Sequence, residues 1–504
     1  MRVSSVRICI AVLMMAASCV LTSAEPLYPK REFRGAWIQA VNHQFEGIPT
    51  SELKRILSDQ LDSLASCGIN TILFQVRVEG DALYESELEP WSGYLTGCQG
   101  LAPDEPWDPL AFMVTQCHRR GMELHAWINP FRARTQSTPM PDAKHQISLH
   151  PDRFVRYGKL TLFNPALQVN RDFICSVAAD IVMRYDIDGF HIDDYFYPYP
   201  EDGLAFNDQA DFQKDPRGFT DKGDWRRDNV NLFIEQLYNT VKGIKPWVKF
   251  GISPFGIYRN ASVGYPEGSA TNGLENYSGL YADVLYWIEK GWLDYCIPQV
   301  YWNVGTSVAD YEVLVNWWAD HAGDVLMYIG QDVERTVTGA DPRNPSIHQE
   351  RMKMDLQRGR SELQGSCHWP AKSVVDNSGG YRQILAAEYY PYPALQPVGR
   401  GLPDSRPSKV KKMRLVQTID GPGLFWTAPS SKHQMDRASR YVIYSFGMDE
   451  KIDLDDPSHI VLLTDRTYYI LPDAERTGSR VYVVTVLSPI QVESSPVKLK
   501  YRPK

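Results

Sequence analysis

From Phe33 to about Val375 one unit recurs: a polar-capped amphipathic helix, a short turn that often carries glycine, and a β-rich run closing on polar or aromatic residues. Parallel neighbours need a crossover of a dozen residues or more, and a helix of this kind supplies it. Candidate strands are Phe33 to Val41, Asn70 to Val76, Glu123 to Ile128, Gly189 to Asp193, Lys249 to Ser253, Tyr295 to Val300, Val325 to Ile329 and a weaker run at Ser366 to Trp369. Eight such strands fit a closed ring, so the spacing predicts an α/β fold, a (β/α)8 TIM barrel over residues 30–390.

The helices between them carry start signals. Asp108-Pro109 places a cap and an N1 proline ahead of Leu110, Met113 and Cys117, with Gly121 as the stop. Asn164-Pro165 repeats the device before a stripe of Phe173, Ile174, Val177, Ile181 and Val182. Ser346 with Gln349 reads as a capping box for a helix running to about Leu363. Over residues 391–408 closely spaced prolines exclude both regular elements and mark a linker. Beyond it, over residues 409–504, six short strand-like runs with intervening turn residues predict a small all-β sandwich. It resembles a fibronectin type III module, with Trp426, Tyr482, Val484 and Val486 as core candidates.

Arg2 and Arg7 precede an apolar stretch from Ile8 to Leu21, and Thr22-Ser23-Ala24 then offers small residues for cleavage. Residues 1–24 therefore read as a secretory signal, and export to the periplasm or cell surface is the expectation. Ala16-Ala17-Ser18-Cys19 also resembles an imperfect lipoprotein box, which leaves a lipid anchor at Cys19 as an alternative. No other segment reaches the roughly 18 apolar residues of a transmembrane helix. The six cysteines after the signal have long, irregular spacings and mostly fall in apolar patterns, so buried free thiols are expected. With no CxxC pair, neither a zinc ribbon nor a thioredoxin-like site is indicated. Acidic residues exceed basic ones, giving a net charge of -8, and no basic run offsets that balance, so nucleic acid is not an expected partner.

In such a barrel the reacting groups sit where the strands end at their carboxyl termini. The fourth strand is the most informative, reading Asp188-Gly189-Phe190-His191-Ile192-Asp193-Asp194-Tyr195-Phe196-Tyr197. Alternation puts Gly189, His191 and Asp193 inward and Phe190, Ile192 and Asp194 against the helices. Asp193 and Asp194 are the catalytic candidates, since adjacent acids push their pKa values apart. Other strand ends add Trp37, Arg77, Asp81, Trp127, Asn129, Arg132, Gln299, Tyr301, Trp302 and Asp332, which with His191, Tyr195 and Tyr197 form the candidate substrate-binding set. Aromatic faces beside amides and carboxylates suit a polysaccharide or oligosaccharide.

Together these segments resemble the secreted bacterial family of glycosyl hydrolase-like family ten. The resemblance lies in EFRGAWI from Glu32, INTILFQVR from Ile69, GDALYESELEPWSGYLTG from Gly80, HAWINPFRAR from His125 and DGFHIDDYFYPYP from Asp188, and continues in GISPFGIYRN and DYCIPQVYW. It implies an exported glycosidase-type barrel associated with cleavage of bacterial cell-wall (peptidoglycan) glycan, with a C-terminal sandwich that adds no chemistry. Gly189 to Asp193 is separately similar to the strand-four motif of α-amylase-type barrels, where the aspartate is the nucleophile. Here His191 replaces that motif's arginine, and Ser253-Pro254-Phe255 stands where the glutamate after strand five is expected.

Glycosidic cleavage needs one carboxylic acid for the leaving oxygen and one carboxylate to attack or activate water, about 5 Å apart in retaining and about 6.5–9.5 Å in inverting enzymes. Because adjacent strand residues point apart, Glu79, Asp81 or Asp332 across the mouth stand as alternative partners for Asp193. A metal-dependent deacetylase would need paired histidines, yet no two histidines after Asp194 are four residues apart, and no metal or other cofactor is expected. A barrel that binds carbohydrate as a non-catalytic scaffold remains the alternative of another class.

Overall fold

The structure, a computed structural model, describes residues 28–136, 138, 140–399 and 406–503. The expected signal, Cys19 and part of the proline-rich linker lie outside the described residues.

Eight parallel strands close a TIM barrel: β1 (Phe33–Ile38), β2 (Thr71–Arg77), β3 (Glu123–Ile128), β4 (Gly189–Ile192), β5 (Lys249–Ile252), β6 (Tyr295–Cys296), β7 (Leu326–Asp332) and β8 (Leu363–Trp369). Hydrogen bonding runs in the order β1-β8-β7-β6-β5-β4-β3-β2 and returns to β1. The sixth strand is shorter than its apolar run suggests, because Pro298 has no N–H for the ladder.

Around the ring, helix α1 (Thr50–Ser66) buries Leu53, Leu57, Leu61 and Leu64 along one stripe. Each leucine so buried contributes about 1.5–3 kcal/mol of apolar transfer. Helix α2 (Pro109–Arg119) starts as its sequence dictates, the Asp108 carboxylate accepting from Ala111 N–H at 2.9 Å. Helix α3 (Gln168–Arg184) starts later than Asn164-Pro165 suggests: Asn164 Oδ1 accepts from Ala166 N–H in a local turn, and the cap position is Leu167. The stripe on α3 buries Ile174, Val177, Ile181 and Val182 and leaves Phe173 half-buried.

The Ser346–Gln349 capping box does not form. Ser346 lies in a short hairpin strand (Asn344–His348), while the Gln349 side chain accepts from Val304 N–H and donates to two backbone carbonyls. The following helix spans only Glu350–Arg358.

The C-terminal module is two antiparallel sheets. Strands β9 (Lys411–Thr418), β10 (Gly421–Thr427) and β13 (Tyr468–Ile470) form one; β11 (Arg440–Gly447), β12 (Ile460–Thr464), β14 (Arg480–Leu487) and β15 (Val497–Tyr501) form the other, in the order β12-β11-β14-β15. Strand β15 was not evident in the sequence, since Val497, Leu499 and Tyr501 alternate with lysines across a half-exposed edge. Trp426, Tyr482, Val484 and Val486 pack in the module's core.

This module sits on the amino-terminal end of the barrel. Arg440 donates to the Met122 carbonyl at 2.8 Å and pairs with Asp188 at 3.3 Å, just ahead of β3 and β4. Gln491, in a left-handed backbone conformation at φ 67°, reaches Glu123 at the start of β3. Among the described residues six cysteines are free, five of them buried and Cys98 exposed. No helix among them is long and apolar enough to cross a membrane.

Candidate active site

A cavity of about 560 Å³ opens at the carboxyl ends of the strands, lined by residues from every barrel strand or its following loop except β7. Side chains pointing into a narrow ring must fill it. Phe33, Trp37, Leu73, Trp127, Tyr295 and Tyr328 do so, and the uppermost of these, Trp37 and Trp127, also face the opening. The two indoles meet Trp369 edge to face, with ring centroids 6.5 Å from Trp37 and 6.1 Å from Trp127. Three indoles thus form a wall at the cavity floor.

Asp193 and Asp194 both line this cavity. Strand β4 ends at Ile192, so the alternation that would turn Asp194 outward stops one residue before the doublet. His191 below it points inward and Phe190 and Ile192 outward, as alternation requires. The Asp193 carboxylate, 3% exposed, accepts from Trp127 Nε1 at 3.0 Å and from Asn129 Nδ2, both on Oδ2. Gln75 Nε2 in turn donates to Asn129 Oδ1 at 2.7 Å, while its own Oε1 accepts from Ala40 N–H, so β1, β2 and β3 jointly orient the acid. Asp194, 2% exposed, accepts from the Tyr199 hydroxyl and is further stabilised by Gln299.

Burial, reinforced by the negative charge of Asp194, pushes the Asp193 carboxyl up to about 7; Arg132 and the Trp127 N–H oppose it. Burial also raises Asp194, against the Tyr199 and Gln299 hydrogen bonds that favour its ionised form. Arg132 stacks on the Tyr195 ring at 4.0 Å and supplies the cation of the site. Two buried carboxyls thus share one cavity, both biased by burial toward the protonated form, with Asp193 poised near neutrality.

Of the residues singled out in the sequence, Trp37, Trp127, Asn129, Arg132, Asp193, Asp194, Tyr195, Gln299 and Tyr301 meet at this cavity, and six others do not line it. Arg77 is fully buried, gripping Glu89 at 2.7 Å and the carbonyls of Asn129 and Pro130, so it shapes the loop that carries Asn129. Asp81 is buried, accepting from Glu79 N–H and Gln99 Nε2. His191 sits beneath the floor, hydrogen-bonded to Ser253 and Tyr295. Tyr197 is buried outside the ring against Phe206 and Tyr281, accepting from Asn229. Trp302 packs edge-on against Phe255, and Asp332 caps the helix Val333–Thr338 through Arg335 N–H at 2.9 Å.

Glu79, another candidate partner acid, is buried and bound to the cavity-lining Tyr94 hydroxyl at 2.8 Å. Gln75 and Ser253, polar residues that the sequence already places at the ends of strands two and five, line the site as well, as do Tyr94 and Trp369, which were not singled out from the sequence. Inward alternation on β2 marks Gln75, and the terminal position on the weak eighth strand marks Trp369. No comparable signal identifies Tyr94. Among the described residues no group of three His, Cys, Asp or Glu side chains is placed to hold a metal ion.

Residues 32–344 match the family described as glycosyl hydrolase-like 10. The chain is 37% identical over 424 residues to glycosyl hydrolase YngK of Bacillus subtilis (strain 168), covering 82% of each chain. It is 38% identical over 309 residues to glycosyl hydrolase DigH of Escherichia coli (strain K12), covering 57% of this chain and 69% of that one. Among solved structures, alpha-L-fucosidase isoenzyme 2 from Paenibacillus thiaminolyticus is similar at 11% identity and a TM-score of 0.45, over 71% of this chain and 49% of the fucosidase. The chain thus spans about half the fucosidase's length. The catalytic domain of beta-amylase from Paenibacillus polymyxa is similar at 12% identity and a TM-score of 0.44, over 71% of this chain and 98% of that domain.

Proposed function

Since the chain belongs to the glycosyl hydrolase-like 10 family, we propose that it is a glycoside hydrolase in which Asp193 is the general acid and Asp194 the carboxylate partner. The observation that carries this reading is the pair of buried acids beside three indoles in an open cavity. Oδ2 of Asp193 is occupied by the Trp127 and Asn129 donors, whereas Oδ1 takes only a long bond from Tyr195 N–H at 3.4 Å, which makes Oδ1 the oxygen to hold the proton and give it to the leaving glycosidic oxygen. Asp194, held by the Tyr199 O–H and Gln299, remains ionised at a pH where Asp193 is protonated, and attacks the sugar or activates water. Arg132 beside both acids offsets part of their charge.

The proposed substrate is bacterial cell-wall glycan, supported by the motif resemblance together with a cavity whose indole wall and amide rim match sugar chemistry. Export, with a signal at residues 1–24 and a lipid anchor at Cys19 as its variant, belongs to the same proposal and is supported by the Arg2–Ala24 pattern. The sheet order of β9 to β15 supports reading the C-terminal module as fibronectin type III-like.

Digestion of peptide-stripped cell-wall glycan by the wild type, Asp193→Asn and Asp194→Asn, with products resolved by mass spectrometry, tests the assignment. Shorter glycans from the wild type alone support it. Equal release by both variants contradicts it, binding without product shifts the reading to a carbohydrate scaffold, and acetate release without shortening shifts it to a deacetylase.

A further inference from the structure

Beneath the cavity floor a file of polar side chains runs down the barrel axis. The Ser253 hydroxyl lies 2.9 Å from His191 Nε2, His191 Nδ1 lies 3.1 Å from the Tyr295 hydroxyl, and that hydroxyl lies 2.8 Å from His125 Nδ1. His125 Nε2 is 3.1 Å from Glu123 Oε2 at the start of β3. Lys249 Nζ donates to both Glu123 oxygens, at 2.9 and 2.7 Å, and Gln491 of the C-terminal module donates to Oε1 at 2.9 Å. Every member is buried.

Two glycines make room for the file. Gly251 lies level with His191 on one side and Tyr295 on the other, and a Cβ there would overlap the Tyr295 ring. A Cβ on Gly189 would come within 2.5 Å of the His125 ring. The rings of His191 and Tyr295 can therefore stack, 5.8 Å apart and 6° from parallel.

The direction of every bond follows from one end. Glu123, ionised against Lys249, can only accept. His125 must give it the Nε2 proton, and a neutral imidazole that does so has a bare Nδ1. Tyr295 places its single proton on that nitrogen, so its oxygen accepts from His191 Nδ1–H. His191 Nε2 is then bare, and Ser253 donates to it. Burial disfavours the imidazolium form of both rings, so neither carries a second proton.

We propose that this ordered file makes Ser253 an obligatory hydrogen-bond acceptor toward the cavity, its one proton committed inward and only lone pairs facing a ligand. Resting on the carbohydrate reading above, Ser253 is then a specificity-determining residue. It selects a sugar group that donates, a ring hydroxyl or an acetamido N–H, and rejects an acceptor-only atom in that place. Its orientation is set by a carboxylate at the far end of the barrel, which the C-terminal module helps to hold.

Nitrogen NMR of the full chain with 15N-labelled histidine tests the file without any ligand. Near neutral pH, His125 is expected as the Nε2–H tautomer and His191 as the Nδ1–H tautomer, and Ser253→Ala moves the bare Nε2 of His191 downfield. The same tautomer in both rings, an imidazolium in either, or a His191 Nε2 signal unmoved by Ser253→Ala overturns the proposal. On peptide-stripped cell-wall glycan, Ser253→Ala raises KM about tenfold with little change in kcat, the loss of one buried hydrogen bond. Ser253→Thr, which keeps the hydroxyl, restores it; equal KM for all three proteins contradicts the acceptor role. If the wild type releases no product, the proposed hydrolase activity falls, while the tautomers still decide for or against the file.

Discussion

Replacing Tyr199 by phenylalanine removes one hydroxyl and keeps the ring that packs against Tyr195 and Phe255. That hydroxyl is the donor to Asp194 Oδ2. A hydrogen bond to a buried carboxylate is worth about 1.5–3 kcal/mol. At about 1.4 kcal/mol per factor of ten, its loss weakens the ionised form of Asp194 against the protonated one by about ten- to a hundredfold. Gln299 still favours the ionised form, which puts the expected shift near the lower figure. On the proposed mechanism the active form has Asp194 ionised and Asp193 protonated, so the acid limb reports Asp194 and the alkaline limb reports Asp193, at about 7. Tyr199→Phe should therefore move the acid limb of the kcat/KM profile up by about one pH unit, leave the alkaline limb in place and lower the peak. Initial rates of reducing-end formation on peptide-stripped glycan across a pH series measure this. An acid limb that stays put or moves down refutes the role given to Asp194.

Asp193→Asn should stabilise the fold, and more so at about pH 8 than at about pH 5. A carboxyl held at about 7 in the native state, against about 3.9 when unfolded, costs stability that grows between those values and is constant above them. Differential scanning calorimetry at both pH values checks it; a larger gain at the lower pH goes against the assignment. Gly251→Ala forces a methyl into the Tyr295 ring and should cost about 1–3 kcal/mol or more in urea unfolding, whereas a near-neutral change would mean the ring shifts freely. Gln491→Ala removes a donor to the buried Glu123 and should lower the barrel's Tm, with a loss of about 1.5–3 kcal/mol; an unchanged Tm would detach the module from the barrel's stability.

The ring of strands was legible because parallel strands buried on both faces and amphipathic crossovers leave distinct periods, and five of the eight strand starts fall at the expected residue. Side-chain caps were less so. Asp108 has its partner three residues ahead, but Ser346 and Asn164 present the same chemistry and are diverted by a tertiary hairpin and a local turn. At the site, strand-end position found the doublet and the two inner indoles. It overreached for Arg77, Asp81 and Tyr197, since a polar residue near a strand end is as able to brace a loop as to meet a ligand. Ser253 and Gln75 stood out as strand-end polar residues, but their roles did not, because these depend on partners far along the chain, 62 residues away for Ser253 with His191 and 54 for Gln75 with Asn129.

If Asp193 and Asp194 add water across a glycosidic bond, digestion in 18O-labelled water followed by mass spectrometry of the new ends reads that step itself. The wild type should give shortened glycans carrying one heavy oxygen per cleavage, and Asp193→Asn and Asp194→Asn should give almost none. Unlabelled products, or labelled products in equal amount from both variants, would contradict it.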